Sequence, residues 1–467
     1  MSETNRMLTF LGAAGTVTGS KYLISTEGRK FFLDAGLFQG LKELRLRNWQ
    51  KPSFDAAEID AVVLSHAHID HSGYLPLLYR NHFRGKIYAT SATADLLKVL
   101  LPDSAHLQEE EAELANRYGF SKHKPALPLY TSEDADGVLK QVIPESYHKP
   151  FQVTESVQAI FRQAGHILGS ASVEIQFLES GNIVHRLVFS GDLGRWNQPI
   201  LPDPELVQMA DTLLIESTYG NRIHGEASAK ELARIVNETA KQKGVLLIPA
   251  FAVGRTQELV WMLRELEEKG EIPALPVYVD SPMAVDTTKI YSTHPEDHDL
   301  EMNQLLSEGK NPLRTKQFHL VRAQEESKKL NQLTGPMIII SASGMATGGR
   351  ILHHLKYRLP IPSTTVLLVG FQAAGTRGRA LQDGAKLIRI HGENVSVRAK
   401  VEALSGLSAH ADKLELMRWL KGFQKPPKQT FIVHGEADSA ATLANSIHTD
   451  LGWNVQVAQD AETINLS

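Results

Sequence analysis

Cysteine is absent from the 467 residues. Disulfides and thiolate metal sites are therefore excluded, and any bound ion must be held by histidine and carboxylate side chains. No apolar run approaches the length that spans a membrane. Net charge is small, −4 with histidine neutral. No global excess of basic side chains marks a nucleic-acid binder, so a groove for a polyanion would have to be a local patch. Met1 to Met7 lacks a basic stretch running into an apolar one, so no signal peptide is expected and the cytoplasm is the default compartment. What remains is an ordinary balance, 42% hydrophobic and 22% charged. The length allows two or three domains with sizeable cores.

One stretch departs from this plain background. Ile59 to Leu64 is a β-branched apolar run that reads as a buried strand. It ends in Ser65-His66-Ala67-His68-Ile69-Asp70-His71-Ser72-Gly73. Three histidines and a carboxylate just past a strand end form a metal-ligand cluster, and such density is not a packing pattern. Neutral imidazole and carboxylate suit zinc. Further along, His166 sits in a tight loop, Gly165-His166-Ile167-Leu168-Gly169, before an alternating strand. Asp192 is bracketed by Gly191 and Gly194 at the end of the next strand. An Asp in such a turn can approach metal closely, and its two oxygens can bridge two ions. Asp34, in Asp34-Ala35-Gly36, ends an earlier strand. By itself it could be only a turn residue. The Gly-rich loop Gly12 to Gly19 joins strand to strand, so a hairpin loop is expected there rather than a nucleotide site. His82, His106, His123 and His148 lack ligand-like neighbours.

His-x-His-x-Asp-His, with His166 and Asp192 following in order, resembles the motifs of the metallo-β-lactamase-fold hydrolases. Glu216-Ser217-Thr218-Tyr219-Gly220, Ser408-Ala409-His410-Ala411-Asp412 and Val433-His434-Gly435-Glu436 are similar to the three extra motifs of the β-CASP ribonucleases. That subgroup includes the cleavage and polyadenylation nuclease and its bacterial and archaeal relatives. The resemblance covers nearly the whole chain. It implies an α/β fold: an αββα metallo-β-lactamase sandwich with an inserted parallel α/β β-CASP cap. The expected divisions are 1–217 and 385–467 for the sandwich and 218–384 for the cap. Little room is expected after His434 for the extra C-terminal domain of the J-type ribonucleases.

The inserted stretch repeats a unit of strand, Gly loop and helix. Ala227 to Lys243 is one expected helix. Arg255 follows Gly254. Ser343 and Gly344 lead through Gly348 and Gly349 to Arg350. Gly375 precedes Arg377 and Arg379. Helix starts behind Gly loops offer backbone N–H groups to anions. No loop fits the nucleotide-triphosphate pattern. The alternative for any one loop is that its glycines merely turn the chain. Together, and each with arginine, the loops suggest a track for a polyphosphate backbone. His353 and His354 are expected to be solvated. The stretches 385–390 and 395–401 read as strands of the first domain resumed.

The resemblance implies roles. One zinc would take His66, His68 and His166, and the second Asp70, His71 and His434, with Asp192 bridging. Asp34 would steady the ligand shell. His410, left without a metal role, would be the general acid for the leaving O3′, held by Glu216. The implied activity is zinc-dependent hydrolysis of single-stranded RNA, cutting inside the strand (endonucleolytic) and leaving 5′-phosphate and 3′-hydroxyl ends. His434 favours RNA, because DNA-repair members usually carry Val at that motif. The alternatives are a single-stranded DNA nuclease and a small-substrate thioesterase or lactonase, which would need no such cap. A non-catalytic RNA-binding subunit would have lost ligands, and this chain keeps them. No membrane partner is expected, and a homodimer is allowed.

Overall fold

The computed structural model describes residues 6–119, 121–225, 229–370, 372–373, 375–404 and 406–466. The chain forms two compact units. The first comprises Met1–Asn197, Asp203–Ile223 and His410–Ser467, and the second Gln198–Pro202 and His224–Ala409.

The first unit is built on two seven-stranded sheets. One runs in the order Thr463–Asn465, Arg6–Phe10, Tyr22–Thr26, Arg29–Leu33, Ala61–Val63, Lys86–Thr90, Val142–Glu145. The other runs Val455–Val457, Gln429–Val433, Thr212–Glu216, Asn182–Phe189, Ala171–Glu179, Val157–Gln163, Phe151–Thr154. Alternation along strands such as Arg6–Phe10 sends every second side chain inward. Leu8, Phe10, Tyr22, Phe31 and Leu33 thereby meet Phe161, Val173, Ile175, Phe177 and Phe189 in one core. Each such side chain contributes roughly 1.5–3 kcal/mol on full burial. Thr212–Glu216 is buried throughout, because the outer face of its sheet is covered too. Leu416, Trp419 and Leu420 of helix Lys413–Leu420, with Leu443 of helix Ala437–Ser446, pack there on Leu213, Ile215 and Ile432. Helix Ser91–Tyr118 packs along the first sheet. The layers are helix, sheet, sheet, helix.

The parallel strands end together, which gathers the motifs. Arg29–Leu33 runs parallel to Ala61–Val63, so Asp34 emerges beside Ser65. Asn182–Phe189, Thr212–Glu216 and Gln429–Val433 are parallel neighbours, and Asp192, Glu216 and His434 lie at or just past their ends.

The second unit holds a six-stranded parallel sheet in the order Phe318–Val321, Val277–Asp280, Met337–Ser341, Val245–Pro249, Thr365–Val369, Lys400–Leu404. Strands 385–390 and 395–401 were expected in the first domain, and the structure corrects this. Leu387–Ile390 and Glu393–Ser396 form a separate hairpin. Lys400–Leu404 then pairs with Thr365–Val369, Val401 opposite Val366. The crossover through helix Arg377–Gln382 brings the chain back beside the strand it left, where a further parallel strand fits. The return to the first unit therefore comes at His410. The expected helix from Ala227 is described over Ala229–Lys241, its first residues lying outside the described ones, as do Phe371 and Ala374 of the Gly370 to Gly375 loop. His354 is not solvated. It is fully buried, with Nε2 2.6 Å from Asp280 Oδ2 and Nδ1 2.8 Å from Asn331 Oδ1. Among the described residues no helix is long and apolar enough to cross a membrane.

Candidate metal centre

The centre is built outward from Asp34. Its carboxylate is wholly buried, which is tolerable only with a full set of donors. Oδ1 accepts from Ser65 N at 2.7 Å. Oδ2 accepts from Ser65 Oγ at 2.9 Å, Ser20 Oγ at 3.0 Å and His71 Nδ1 at 2.6 Å. The last bond fixes the imidazole orientation and turns His71 Nε2 toward the centre, free to ligate once it is deprotonated. Ser65 Oγ does the same for His66, 3.0 Å from its Nδ1. Thr218 Oγ1 does so for His434, 3.2 Å from Nδ1. Ser20, Ser65 and Thr218 were not singled out in the sequence. Their only signal is adjacency to Gly19, His66 and the Glu216 motif, and a hydroxyl beside a strand end is too common to read.

The freed nitrogens converge. His68 Nδ1 lies 3.2 Å from both His66 Nε2 and His166 Nε2. His71 Nε2 and His434 Nε2 are 3.1 Å apart, with Asp70 Oδ2 3.7 Å from the latter. Lone pairs that face each other at this distance repel unless a cation lies between them. Ligand atoms about 2.0–2.1 Å from a tetrahedral ion stand about 3.3 Å apart, which is the spacing seen. Asp192 Oδ2 touches both groups, 3.5 Å from His66 Nε2, 3.6 Å from His166 Nε2 and 3.3 Å from His71 Nε2. Its Oδ1 is buried without a hydrogen-bond partner, an arrangement that a bound cation satisfies. Gly194 allows the turns bearing His166 and Asp192 to meet. Its N–H donates to Ala164 O at 2.7 Å, and a Cβ there would stand 1.9 Å from Gly165 O. The residues present fit two metal ions.

Without cations, protons balance this charge. Burial opposes a charged His71, but Asp192 and Asp34 outweigh it and hold the imidazolium well above the ordinary histidine range. Burial and the neighbouring His71 keep His66 neutral, well below that range. Burial takes His68 down to about 4. Burial works against the Asp70 carboxylate, yet His434 and His71 draw it down to about 2. A ligating imidazole must be neutral, so loading the chelated protein near neutral pH should release about one proton or more per chain. Calorimetry in buffers of different ionisation enthalpy reads this directly. Affinity should fall as the pH is lowered, and metal uptake with no proton release would contradict the assignment of His71.

His410 stands beside the centre. Its Nδ1 is 3.3 Å from Glu216 Oε1 and 3.9 Å from Asp192 Oδ2. Burial disfavours its charge, but Glu216 and Asp192 outweigh that and push it up to about 9. Glu216 is fully buried, its Oε1 accepting from Leu193 N at 2.7 Å and its Oε2 from Thr218 N at 3.2 Å. Ala411 N donates to Leu193 O at 2.7 Å, fixing the His410 turn beside Asp192. Asp34, His66, His68, Asp70, His71, His166, Asp192, Glu216, His410 and His434 are thus brought together.

The arginines of the second unit are placed differently. Arg255 is buried and paired with Glu258. Arg350 donates from Nη1 to Asp280 Oδ1 at 2.7 Å and from Nη2 to Arg322 O at 2.7 Å. Both were expected at a phosphate backbone, and in the ligand-free chain both neutralise carboxylates inside the unit. Arg377 donates to Arg389 O at 2.8 Å and Thr347 O at 3.1 Å, and Arg379 pairs with Asp383 at 2.9 Å. Ser343 Oγ is 2.9 Å from Thr347 Oγ1. Gly349 and Gly375 adopt φ of 75° and 80°, so turning the chain is one task of these glycines. A Cβ on Gly344 would crowd the Phe251 ring at 2.9 Å, whereas one on Gly348 would meet open space.

Family models match along the chain: a Beta-lactamase superfamily domain over residues 29–247, a Beta-Casp domain over 256–381, and a Zn-dependent metallo-hydrolase RNA specificity domain over 394–458. Ribonuclease TTHA0252 of Thermus thermophilus is 38% identical over 455 residues, 97% of this chain and 98% of its own. Transcription termination factor FttA of Methanosarcina mazei is 33% identical over 472 residues, 98% of this chain and 71% of its own. A crystal structure of a protein of unknown function from Enterococcus faecalis covers 99% of this chain and 100% of its own, with a TM-score of 0.56 and 14% identity, a likeness of fold alone. With the ligand geometry, the whole-length match places this chain in the β-CASP ribonuclease family of metallo-β-lactamase-fold, metal-dependent hydrolases.

Proposed function

We propose that the protein is a zinc-dependent ribonuclease that cuts single-stranded RNA and leaves 5′-phosphate and 3′-hydroxyl ends. The observation that carries this is the shared carboxylate, Asp192 Oδ2 lying within 3.6 Å of histidines from both ligand groups. His66, His68 and His166 would hold one zinc, and Asp70, His71 and His434 the other, with Asp192 between them. Bound there, the ions would supply a nucleophile at neutral pH and offset charge on the phosphorus. The remaining tasks fall to the chain. Glu216 holds His410 by Nδ1, which leaves Nε2–H to give a proton to the departing O3′. Asp34 keeps His71 in one tautomer. His66, His71 and Asp192 are buried, and a flexible single strand reaches such a floor more readily than a stiff duplex. RNA is supported by the relative named a ribonuclease and by the model described as an RNA specificity domain.

The 2′-hydroxyl has no part in breaking this bond, so no cyclic phosphate is expected. Matched single-stranded RNA and DNA oligonucleotides, with the product ends mapped, test the reading. RNA should be cut faster, to 5′-phosphate and 3′-hydroxyl. Equal rates on DNA would overturn the substrate, and a 2′,3′-cyclic phosphate would overturn the mechanism.

A further inference from the structure

A segment linked through Phe38 and Gly36 to the turn that bears Asp70 presents apolar and basic side chains to solvent. Helix Lys42–Arg47 buries none of its residues. Leu41, Leu46 and Trp49 are 51%, 52% and 57% exposed. The segment is nonetheless firmly held. Asn48 is buried, its Nδ2 donates to Phe38 O at 2.8 Å, and its Oδ1 accepts from Phe38 N at 3.0 Å. Arg47 lies 4.0 Å from the Phe38 ring centre and pairs with Asp460 at 2.6 Å. The same ring is met by Lys21 Nζ at 4.5 Å, and that amine donates to Gly36 O at 2.8 Å. Gly36 in turn abuts the ligand turn, since a Cβ there would stand 1.6 Å from Asp70 O. A chain of contacts therefore ties the segment to the residues that flank Asp70 and His71.

Rigid display of large apolar groups marks a binding surface. Helical bonding runs from Leu41 to Trp49, Arg45 N donating to Leu41 O at 3.0 Å and, past the helix end, Trp49 N to Leu46 O at 3.1 Å. That spacing puts Leu41, Arg45 and Trp49 along one face. Lys42, Arg45 and Lys51 are exposed around it, and Glu43 is the one acid between 41 and 51. Three half-exposed side chains fall short of the roughly 800 Å² that each partner gives to a stable protein interface. They match one or two nucleobases, and the basic rim complements phosphate.

We propose that this segment is a docking platform for single-stranded RNA, with Trp49 stacking on a base and Lys42, Arg45 and Lys51 meeting the neighbouring phosphates. This rests on the reading of the metal centre as an RNA-cutting site. Stacking on an indole tolerates any base, and the charge contacts release counterions.

The test compares the full-length wild type with W49A, W49F and the K42E/R45E double variant, on long and short single-stranded RNA. W49A should raise KM for the long strand roughly tenfold, with a smaller penalty on a tetranucleotide. W49F should recover most of the loss, and K42E/R45E should flatten the salt dependence of binding. Anisotropy binding to the chelated protein separates this inference from the nuclease reading. Wild type that binds RNA through Trp49 but cuts none supports the platform and sinks the nuclease. Wild type that cuts RNA while W49A binds and cuts equally at every length overturns the platform. So does a wild-type dimer on sedimentation that W49A abolishes, which would give this face to a second copy of the chain.

Discussion

Asp192→Asn should fold and yet lose about three powers of ten or more in RNA cleavage. The reason is electrostatic. Among the described residues, Asp192 is the one carboxylate within 3.6 Å of histidines from both ligand groups, and an amide keeps its shape but not its charge. The neutral side chain can neither offset bound cations nor help hold His71 charged when they are gone. Elemental analysis should find fewer ions per chain than in the wild type. Proton release on loading should shrink, because one of the two anions that raise His71 is lost. Full activity with full metal content would show that the two ligand groups do not share a carboxylate.

His410→Ala should keep its metal and lose about 10²–10⁴-fold in cleavage. Its Nδ1 is bonded to Glu216 rather than aimed at either ligand group, so the metal count should not change. A substrate with a p-nitrophenolate leaving group needs no proton and should recover much of the loss. Metal shed by the variant would make His410 a ligand instead. The same histidine has a signature in the chelated protein. Its folded value of about 9 lies above the ordinary value of about 6.5. The stabilisation it gives is therefore complete below about 6.5 and lost as pH rises through about 9. His71, also raised, acts with the same sign. Thermal unfolding of the chelated wild type should show stability falling across that window, and Glu216→Gln should flatten the fall.

The clustering of histidines and carboxylates was legible because they are dense, chemically unusual and placed at strand ends. His66, His68, Asp70 and His71 fall within six consecutive positions, and no core pattern needs that. Asp280 shows what was not legible. It lies 70 residues before Arg350 and 74 before His354, and nothing local announces that one buried carboxylate will claim both. Arg350 therefore read as a phosphate contact and His354 as a surface residue. Arg255, behind its Gly loop, read the same way, although Glu258 one turn later was in plain view. The boundary near 385 failed for another reason. The alternation in Val395 to Val401 suits a strand in either unit, and only the hydrogen-bonded partner, Thr365–Val369, decides which. Ser65 was legible as a neighbour of the motif but not as the hydroxyl that bridges Asp34 and His66.

His71 and His434 meet at 3.1 Å across 363 residues of chain. The centre therefore cannot be completed until late in synthesis, when His434 has been made. A ribosome can have delivered His66 through His166, and even Asp192, without yet assembling the second ligand group. Between those events the whole second unit must be synthesised. The second ligand group can form only once strand Gln429–Val433 has paired with Thr212–Glu216, which sets His434 at the strand end. The long separation also makes each captured ion a cross-link between distant parts of the chain, closing a loop whose entropy the unfolded protein would otherwise keep.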